Sequence, residues 1–361
     1  MLGELSDELP VIFGVPQGSC LGPLLFLIYI NDLGTKFGSD NEIILFADDT
    51  NIFVQAKSLN QAYELANKLI QEIQNYMVCN KLHINLDKSC YMHFAKSSKK
   101  SDNVEMCNEN DTSIFISGTE IKQVTDTKFL GVIIDQDLTW EPHIKALSKK
   151  LASCTGSLNR IIECIPQKLH KDLYHTLFES YITYEITVWG KSSKSKLKPL
   201  FKAQKKALRV VFGDRIKYLD KFKTCARTRP YPDQKLGSDF YIKEHTKPLF
   251  NLNKILALQN LYFHHCCSEV FNVFKYRDPI VIFEKFKFSK SYKDLYLTTP
   301  KPSNLYSYNT SVAFNTARKI IKVKDASRPV SAFKEKLKNY LLEKQLLGDD
   351  INWIDLNFED P

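Results

Sequence analysis

The sequence predicts an α+β fold with its strands confined to the stretch before Pro142 and a mostly helical remainder. Three observations lead there. Two short apolar runs, Ile43-Ile44-Leu45-Phe46 and Ile52-Phe53-Val54, flank the polar turn Ala47-Asp48-Asp49-Thr50, which is hairpin patterning. A long stripe, Ala62, Leu65, Ala66, Leu69, Ile70, Ile73 and Met77, repeats at helical spacing. From Pro142 onward such stripes dominate.

Taken in order, Gly18 to Pro23 is a tight entry to a helix, with Pro23 suited to its first turn. The run Leu24 to Ile30 is apolar nearly all round, so that helix is expected to be buried. After the hairpin, Ser58 with Gln61 forms a capping box for the striped helix. Ile84 to Phe94 alternates like a strand, Lys96 to Asn103 reads as a loop, and Phe129 to Ile134 reads as one short strand ended by a turn at Asp135 to Asp137. Leu147, Leu151, Cys154, Leu158 and Ile161 make one helical stripe, closed by Pro166, and Leu169, Leu173, Leu177 and Tyr181 make the next. Arg227 to Asp239 reads as a linker, while Leu249 to Phe274 and Val330 to Leu347 read as helices around an irregular stretch from Lys285 to Asn309.

Composition excludes several classes. The 361 residues are 43% hydrophobic and 25% charged, an ordinary globular balance. The longest strongly apolar run, Leu24 to Ile30, is far short of the roughly 20 residues of a membrane span. The acidic start around Glu4, Asp7 and Glu8 lacks the basic flank of a signal peptide, so the expected location is intracellular, nucleus or cytoplasm. Nine cysteines, an odd number with no C-x-x-C pair, suggest neither a disulfide framework nor a zinc ribbon. In His264-His265-Cys266-Cys267 neighbouring side chains diverge by about 100° on a helix and cannot all converge on one ion, so a structural role is expected.

The net charge of +9 is concentrated. Residues 191–230 hold 14 Lys/Arg against two acids, whereas the rest of the chain has 36 bases and 39 acids. Within it, Leu197, Leu200, Phe201, Leu208, Val211 and Phe212 recur at helical spacing, with Gly213 at the C-cap. An apolar face opposite a cationic one, too one-sided for internal i,i+4 pairing, predicts a polyanion partner, nucleic-acid phosphate first.

Asp48-Asp49 is the chemically informative pair. On a hairpin turn both carboxylates can reach one cleft, and their repulsion is relieved only by a cation. Hard oxygen donors select Mg²⁺ or Mn²⁺, and nucleotidyl transfer uses two such ions about 4 Å apart. A solvated turn is the competing reading, and context decides between them.

That context is the string Gly14-Val15-Pro16-Gln17-Gly18-Ser19-Cys20-Leu21-Gly22-Pro23-Leu24-Leu25-Phe26, followed about twenty residues later by Phe46-Ala47-Asp48-Asp49. The first resembles motif B, and the second the [YF]-x-D-D motif C, of the palm of LINE-type (non-LTR, jockey-like) retrotransposon reverse transcriptases. Leu82-His83-Ile84-Asn85-Leu86-Asp87-Lys88-Ser89 is similar to motif D, and Phe129-Leu130-Gly131-Val132 to the element leading into the thumb. Tyr184 to Gly190 and the basic helix are similar to the segment downstream of the jockey-type polymerase. The resemblance implies a partial polymerase palm over 1–135, a helical thumb and basic region over 136–226, and a helical C-terminal region of unassigned role over 227–361.

The resemblance also implies roles. Asp48 and Asp49 would hold the catalytic metals, with Lys88 beside the triphosphate as a catalytic group. Gln17, Gly18 and Phe46 would border the nucleotide and template, and Phe129, Leu130 and Gly131 would hold the primer. A core strand is the competing reading for the last three, and a solvated turn for Lys88. Lys198, Lys202, Lys205, Lys206 and Arg209 would bind nucleic acid. The partners implied are an RNA template, a DNA primer and deoxynucleoside triphosphates, with no membrane.

The family pattern includes a further aspartate, motif A, before motif B. Only Glu4, Asp7 and Glu8 precede Gly14, none in an apolar strand-like setting. The chain alone is therefore expected to be a truncated, inactive RNA-directed DNA polymerase. The alternative is a non-catalytic nucleic-acid-binding remnant that uses residues 191–230.

Overall fold

The computed structural model describes residues 14–15, 18–37, 42–94, 113–213, 246, 248–276 and 329–347. They fall in two compact units, Met1–Thr127 and Lys128–Pro361. The first contains α1 (Leu21–Ile30), α2 (Asp32–Phe37), β1 (Glu42–Phe46), β2 (Asp49–Phe53) and α3 (Leu59–Cys79). Four two-residue strands follow: β3 (Cys90–Tyr91), β4 (Phe115–Ile116), β5 (Thr119–Glu120) and β6 (Lys122–Gln123).

β1 and β2 form the expected antiparallel hairpin, with Ile43 opposite Ile52 and Phe46 opposite Asp49. The period-2 rule then sorts its faces. Ile43, Leu45 and Ile52 pack on a core of Ile30, Leu33, Leu69, Ile73, Tyr76 and Met77. Ile44, Phe46 and Phe53 are exposed on the other face. The core stripe belongs to α3, whose N-cap Ser58 hydroxyl accepts the Gln61 N–H at 3.3 Å, as the capping signal predicts. On another side of α3 the β4–β5 hairpin buries Ile114, Ile116 and Ile121 against Tyr63 and Ala66. The Asn67 amide brackets that hairpin, donating to the Ser113 carbonyl at 2.9 Å and accepting from the Phe115 N–H at 3.0 Å.

Two expectations are corrected in this unit. α1 is not buried all round: Gly22 and Ile30 are buried, while Leu21, Leu24, Leu25, Leu27, Ile28 and Tyr29 are between 48% and 65% exposed. Uniform apolarity gives a helix no preferred face, and α1 meets the core only along Phe26 and Ile30, one turn apart. Residues 84–94 are not one strand. Asn85 Oδ1 accepts the Lys88 N–H at 3.2 Å and folds Leu86–Lys88 into a 3₁₀ turn, leaving only Cys90–Tyr91 to pair, in parallel, with β6.

β7 (Asp126–Phe129) crosses the boundary, and β8 (Val132–Asp135) pairs with it. The stretch 129–134, expected as one strand, is thus a hairpin that turns at Leu130 and Gly131, both at positive φ. Then come α4 (Glu141–Ile161), α5 (His170–Tyr174), a π-helical turn (His175–Glu179), α6 (Ser180–Thr183), α7 (Ile186–Trp189), α8 (Lys194–Phe212), α9 (Leu258–Tyr276) and α10 (Val330–Leu347). The Asp135 carboxylate, buried, accepts the Thr139 and Trp140 N–H groups at 2.8 and 2.7 Å and so seats the start of α4.

The core of this second unit is built from Leu151, Leu158, Tyr174, Phe178, Ile182, Trp189, Leu200 and Leu208, all fully buried. Phe271 of α9 stacks on Phe333 of α10 with centroids 4.2 Å apart. Cys266 and Cys267 are buried in the same core, where burial raises both thiols, Cys266 to about 12. The expected stripe Leu169, Leu173, Leu177 and Tyr181 is displaced by one residue, because Tyr174, Phe178 and Ile182 point inward while Leu169 and Tyr181 are exposed. The two series run side by side at the same four-residue spacing, and the offset is already set at Leu173 and Tyr174, before the π turn begins. Helix Leu249–Phe274 is broken at Asn253-Lys254, where Lys254 has φ +53. Val330–Leu347 has the expected bounds. Lys96–Asn103, Arg227–Asp239 and Lys285–Asn309 lie outside the described residues. No helix among the described residues is long and apolar enough to cross a membrane.

Candidate functional site

The Asp-Asp pair sits at the tip of the β1–β2 hairpin. Two residues, Ala47 and Asp48, make the turn, and Ala47 carries φ +52. A two-residue hairpin needs a positive φ at its first turn position to match strand twist, and Gly or Asn is the usual occupant. Alanine there keeps the turn tight at the expense of strain. Asp48 is exposed at the turn, and Asp49, also exposed, opens β2.

Register places Asp49 opposite Phe46 on the outer face of the hairpin, together with Ile44, Asn51 and Phe53. The Phe46 ring is 59% exposed, so a large apolar plate stands directly across from a carboxylate. Asn51, two residues after Asp49 on the same face, has a buried Nδ2 with no hydrogen-bond partner among the described residues. Sequence reasoning missed it. The only available signal was its spacing from Asp49 along the strand.

The other residues singled out from the sequence fall as follows. Gly18 is exposed at φ +85, and a Cβ built on it would meet nothing within 4 Å, so the backbone there is open to close approach. Ser19 Oγ accepts the Gly22 N–H at 3.0 Å and starts α1. Gln17 lies outside the described residues. Lys88 is exposed at the end of its 3₁₀ turn, with its backbone N–H committed to Asn85.

Two carboxylates are the right donor chemistry for a hard divalent cation, which prefers six or more oxygens. Among the described residues, however, no group of three or more His, Cys, Asp or Glu could hold a metal ion. Asp48 and Asp49 thus offer two hard oxygen donors, fewer than the shell of such an ion requires.

In the second unit, Phe129 and Leu130 are half-buried and Gly131 is exposed at the β7–β8 turn. α8 presents Lys198, Lys202 and Lys206 outward and buries Leu197, Leu200, Leu208, Val211 and Phe212, as its sequence pattern requires. Lys205 departs from expectation. It is 8% exposed, with its ammonium 4.7 Å from the Phe201 ring centroid, because its position in the helix turns it toward the apolar face. Arg209 is half-buried.

A family model described as "Reverse transcriptase (RNA-dependent DNA polymerase)" matches residues 2–134. The chain is 25% identical over 220 residues to the RNA-directed DNA polymerase from mobile element jockey of Drosophila melanogaster, an alignment covering 58% of this chain and 23% of that protein. It is 24% identical to the probable RNA-directed DNA polymerase from transposon X-element of the same species, covering 58% and 23%. Against the Pol polyprotein from type-1 retrotransposable element R1 of Bradysia coprophila it is 26% identical, covering 49% and 17%. The chain thus spans less than a quarter of the length of these relatives. No solved structure matches it significantly.

Proposed function

We propose, from a chain whose residues 2–134 belong to the reverse transcriptase family, that it acts in RNA-directed DNA synthesis by a non-LTR retrotransposon. The observation that carries this reading is the hairpin tip: two exposed carboxylates beside an exposed aromatic ring, in the sequence context that the family model matches. In this reading Asp48 and Asp49 supply ligands for Mg²⁺ or Mn²⁺. Phe46, Gly18 and Gln17 border the incoming nucleotide and template, Lys88 faces the triphosphate, and Phe129, Leu130 and Gly131 hold the primer.

The reading further holds that the chain by itself is inactive or nearly so, because no third acid joins Asp48 and Asp49 among the described residues. Loss of one well-placed electrostatic group commonly costs on the order of a hundredfold in rate. Primer extension on an RNA template with Mg²⁺ or Mn²⁺ is expected to give no product above background. Template-directed product that disappears in Asp48→Ala would overturn the inactivity and support the metal role together.

Nucleic-acid binding is expected to persist without synthesis, through α8. Each neutralised phosphate contact contributes about 0.7 to 0.9 to the slope of log affinity against log salt. Replacing Lys198, Lys202 and Lys206 by Gln should lower that slope by about 2 to 3. Lys205→Gln should leave it unchanged, since that ammonium lies over Phe201. Titrations at several salt concentrations check both. Equal slopes for all variants would remove α8 from the interface.

A further inference from the structure

The β7–β8 turn is not held by its own sequence. Leu130 at φ +44 and Gly131 at φ +89 make a two-residue turn in which both central residues are left-handed. That geometry suits Asn-Gly or Gly-Gly, and a leucine strains it. A residue 54 positions away stands against both. The Tyr184 hydroxyl donates to the Leu130 carbonyl at 2.5 Å, and its ring Cε1 lies 3.1 Å from where a Cβ on Gly131 would sit.

Tyr184 is itself anchored at a kink. It ends α6, and the next residue, Glu185, is left-handed at φ +49 before α7 begins. Its carbonyl accepts the Nε1–H of Trp189 at 3.1 Å, and Trp189 is fully buried. Its side chain, by contrast, is 47% exposed and fills no core position. A tyrosine tied to the core through its backbone, with its ring left in solvent against a strained turn, acts as a brace.

We propose that Tyr184 is the positioning residue of the Phe129–Gly131 turn: its hydroxyl and ring fix the turn's orientation and thereby where the primer's 3′ end is held. This rests on the reading of that turn as the primer contact. Tyr184 touches no reacting atom in this account and acts only through Leu130 and Gly131.

The full chain can be titrated with an RNA–DNA duplex whose DNA strand has a recessed 3′ end, carrying 2-aminopurine at that terminus, and with a blunt duplex of the same length. Tyr184→Phe removes the hydrogen bond and keeps the ring. It should weaken binding of the recessed end about three- to tenfold and alter the terminal fluorescence, with blunt-duplex affinity and thermal midpoint unchanged. Tyr184→Leu should show the larger effect of the same kind. Phe129→Ala tests the underlying reading independently. If Phe129→Ala loses the recessed-end preference and both Tyr184 variants keep it, the turn holds the primer but Tyr184 does not position it. If Phe129→Ala keeps the preference as well, the primer reading fails and the proposal falls with it. A Tyr184→Phe variant that binds both duplexes equally poorly, or melts earlier, would mark a general structural role and overturn the proposal.

Discussion

Gln204→Met should destabilise the second unit by about 3 kcal/mol, and Gln204→Ala by about 4 to 5, among the largest effects of any single substitution in this chain. The side chain is fully buried on α8 and spends both ends of its amide on other elements. Nε2 donates to the Leu256 carbonyl at 3.0 Å and to the Tyr174 hydroxyl at 3.2 Å, and Oε1 accepts the Leu258 N–H at 3.0 Å. Leu258 is the first residue of α9, so its N–H is one of the donors that a helix start leaves unpaired. Gln204 thus caps a helix 54 residues away. Methionine keeps the volume and orphans those backbone groups, whereas alanine adds a cavity. Urea unfolding followed by Trp fluorescence measures the difference. A Met variant within 1 kcal/mol of wild type would show that water replaces the amide at little penalty.

Acid should act on the same unit. Burial lowers His264 to about 4, and it also lowers His265 and His143. Protonating His143 would break the bond that its Nδ1 accepts from the Ile133 N–H at 3.3 Å. The groups facing this region are mixed. Lys334 and Lys338 disfavour charge on His264, while Glu179, paired with His175 at 2.9 Å, favours charge on His265. A group whose folded pKa lies below its unfolded value stabilises the fold fully above the unfolded value, near 6.5. That stabilisation is lost as pH falls toward 4. His264 alone should therefore remove about 2 kcal/mol between pH 7 and pH 5. Denaturation at those two pH values checks the sign, and His264→Gln, which cannot titrate, should recover most of the loss. A wild type equally stable at both would refute it.

What the sequence made legible divides along physical lines. The hairpin around Asp48, the Ser58 cap, the α4 stripe, the basic helix and the bounds of α10 all follow from local periodicity or capping chemistry. Each of those is decided within a few turns of chain. The misreadings share another origin. Leu130 in a left-handed turn, Lys205 folded over Phe201 and Gln204 capping α9 are settled by partners far away in sequence, and no spacing rule encodes them. α1 misled for the opposite reason, since its composition promised burial that the described structure does not supply on most of its circumference. For the site, the carboxylate pair and its aromatic neighbour were readable from their spacing, while Asn51 and Tyr184 needed coordinates.

The wide turn at His175–Glu179 has a consequence for how this protein tolerates change. Losing a single codon within those five positions would let the segment tighten to ordinary helical geometry, a local relaxation rather than a break. Tyr174 and Ile182 would then stand seven residues apart, about 700° along an ordinary helix and so within about 20° of two full turns. Both would go on facing the interior that they now share. A deletion there is absorbed rather than passed on, so these five positions are where the second unit can lose a residue without turning its apolar faces away from one another.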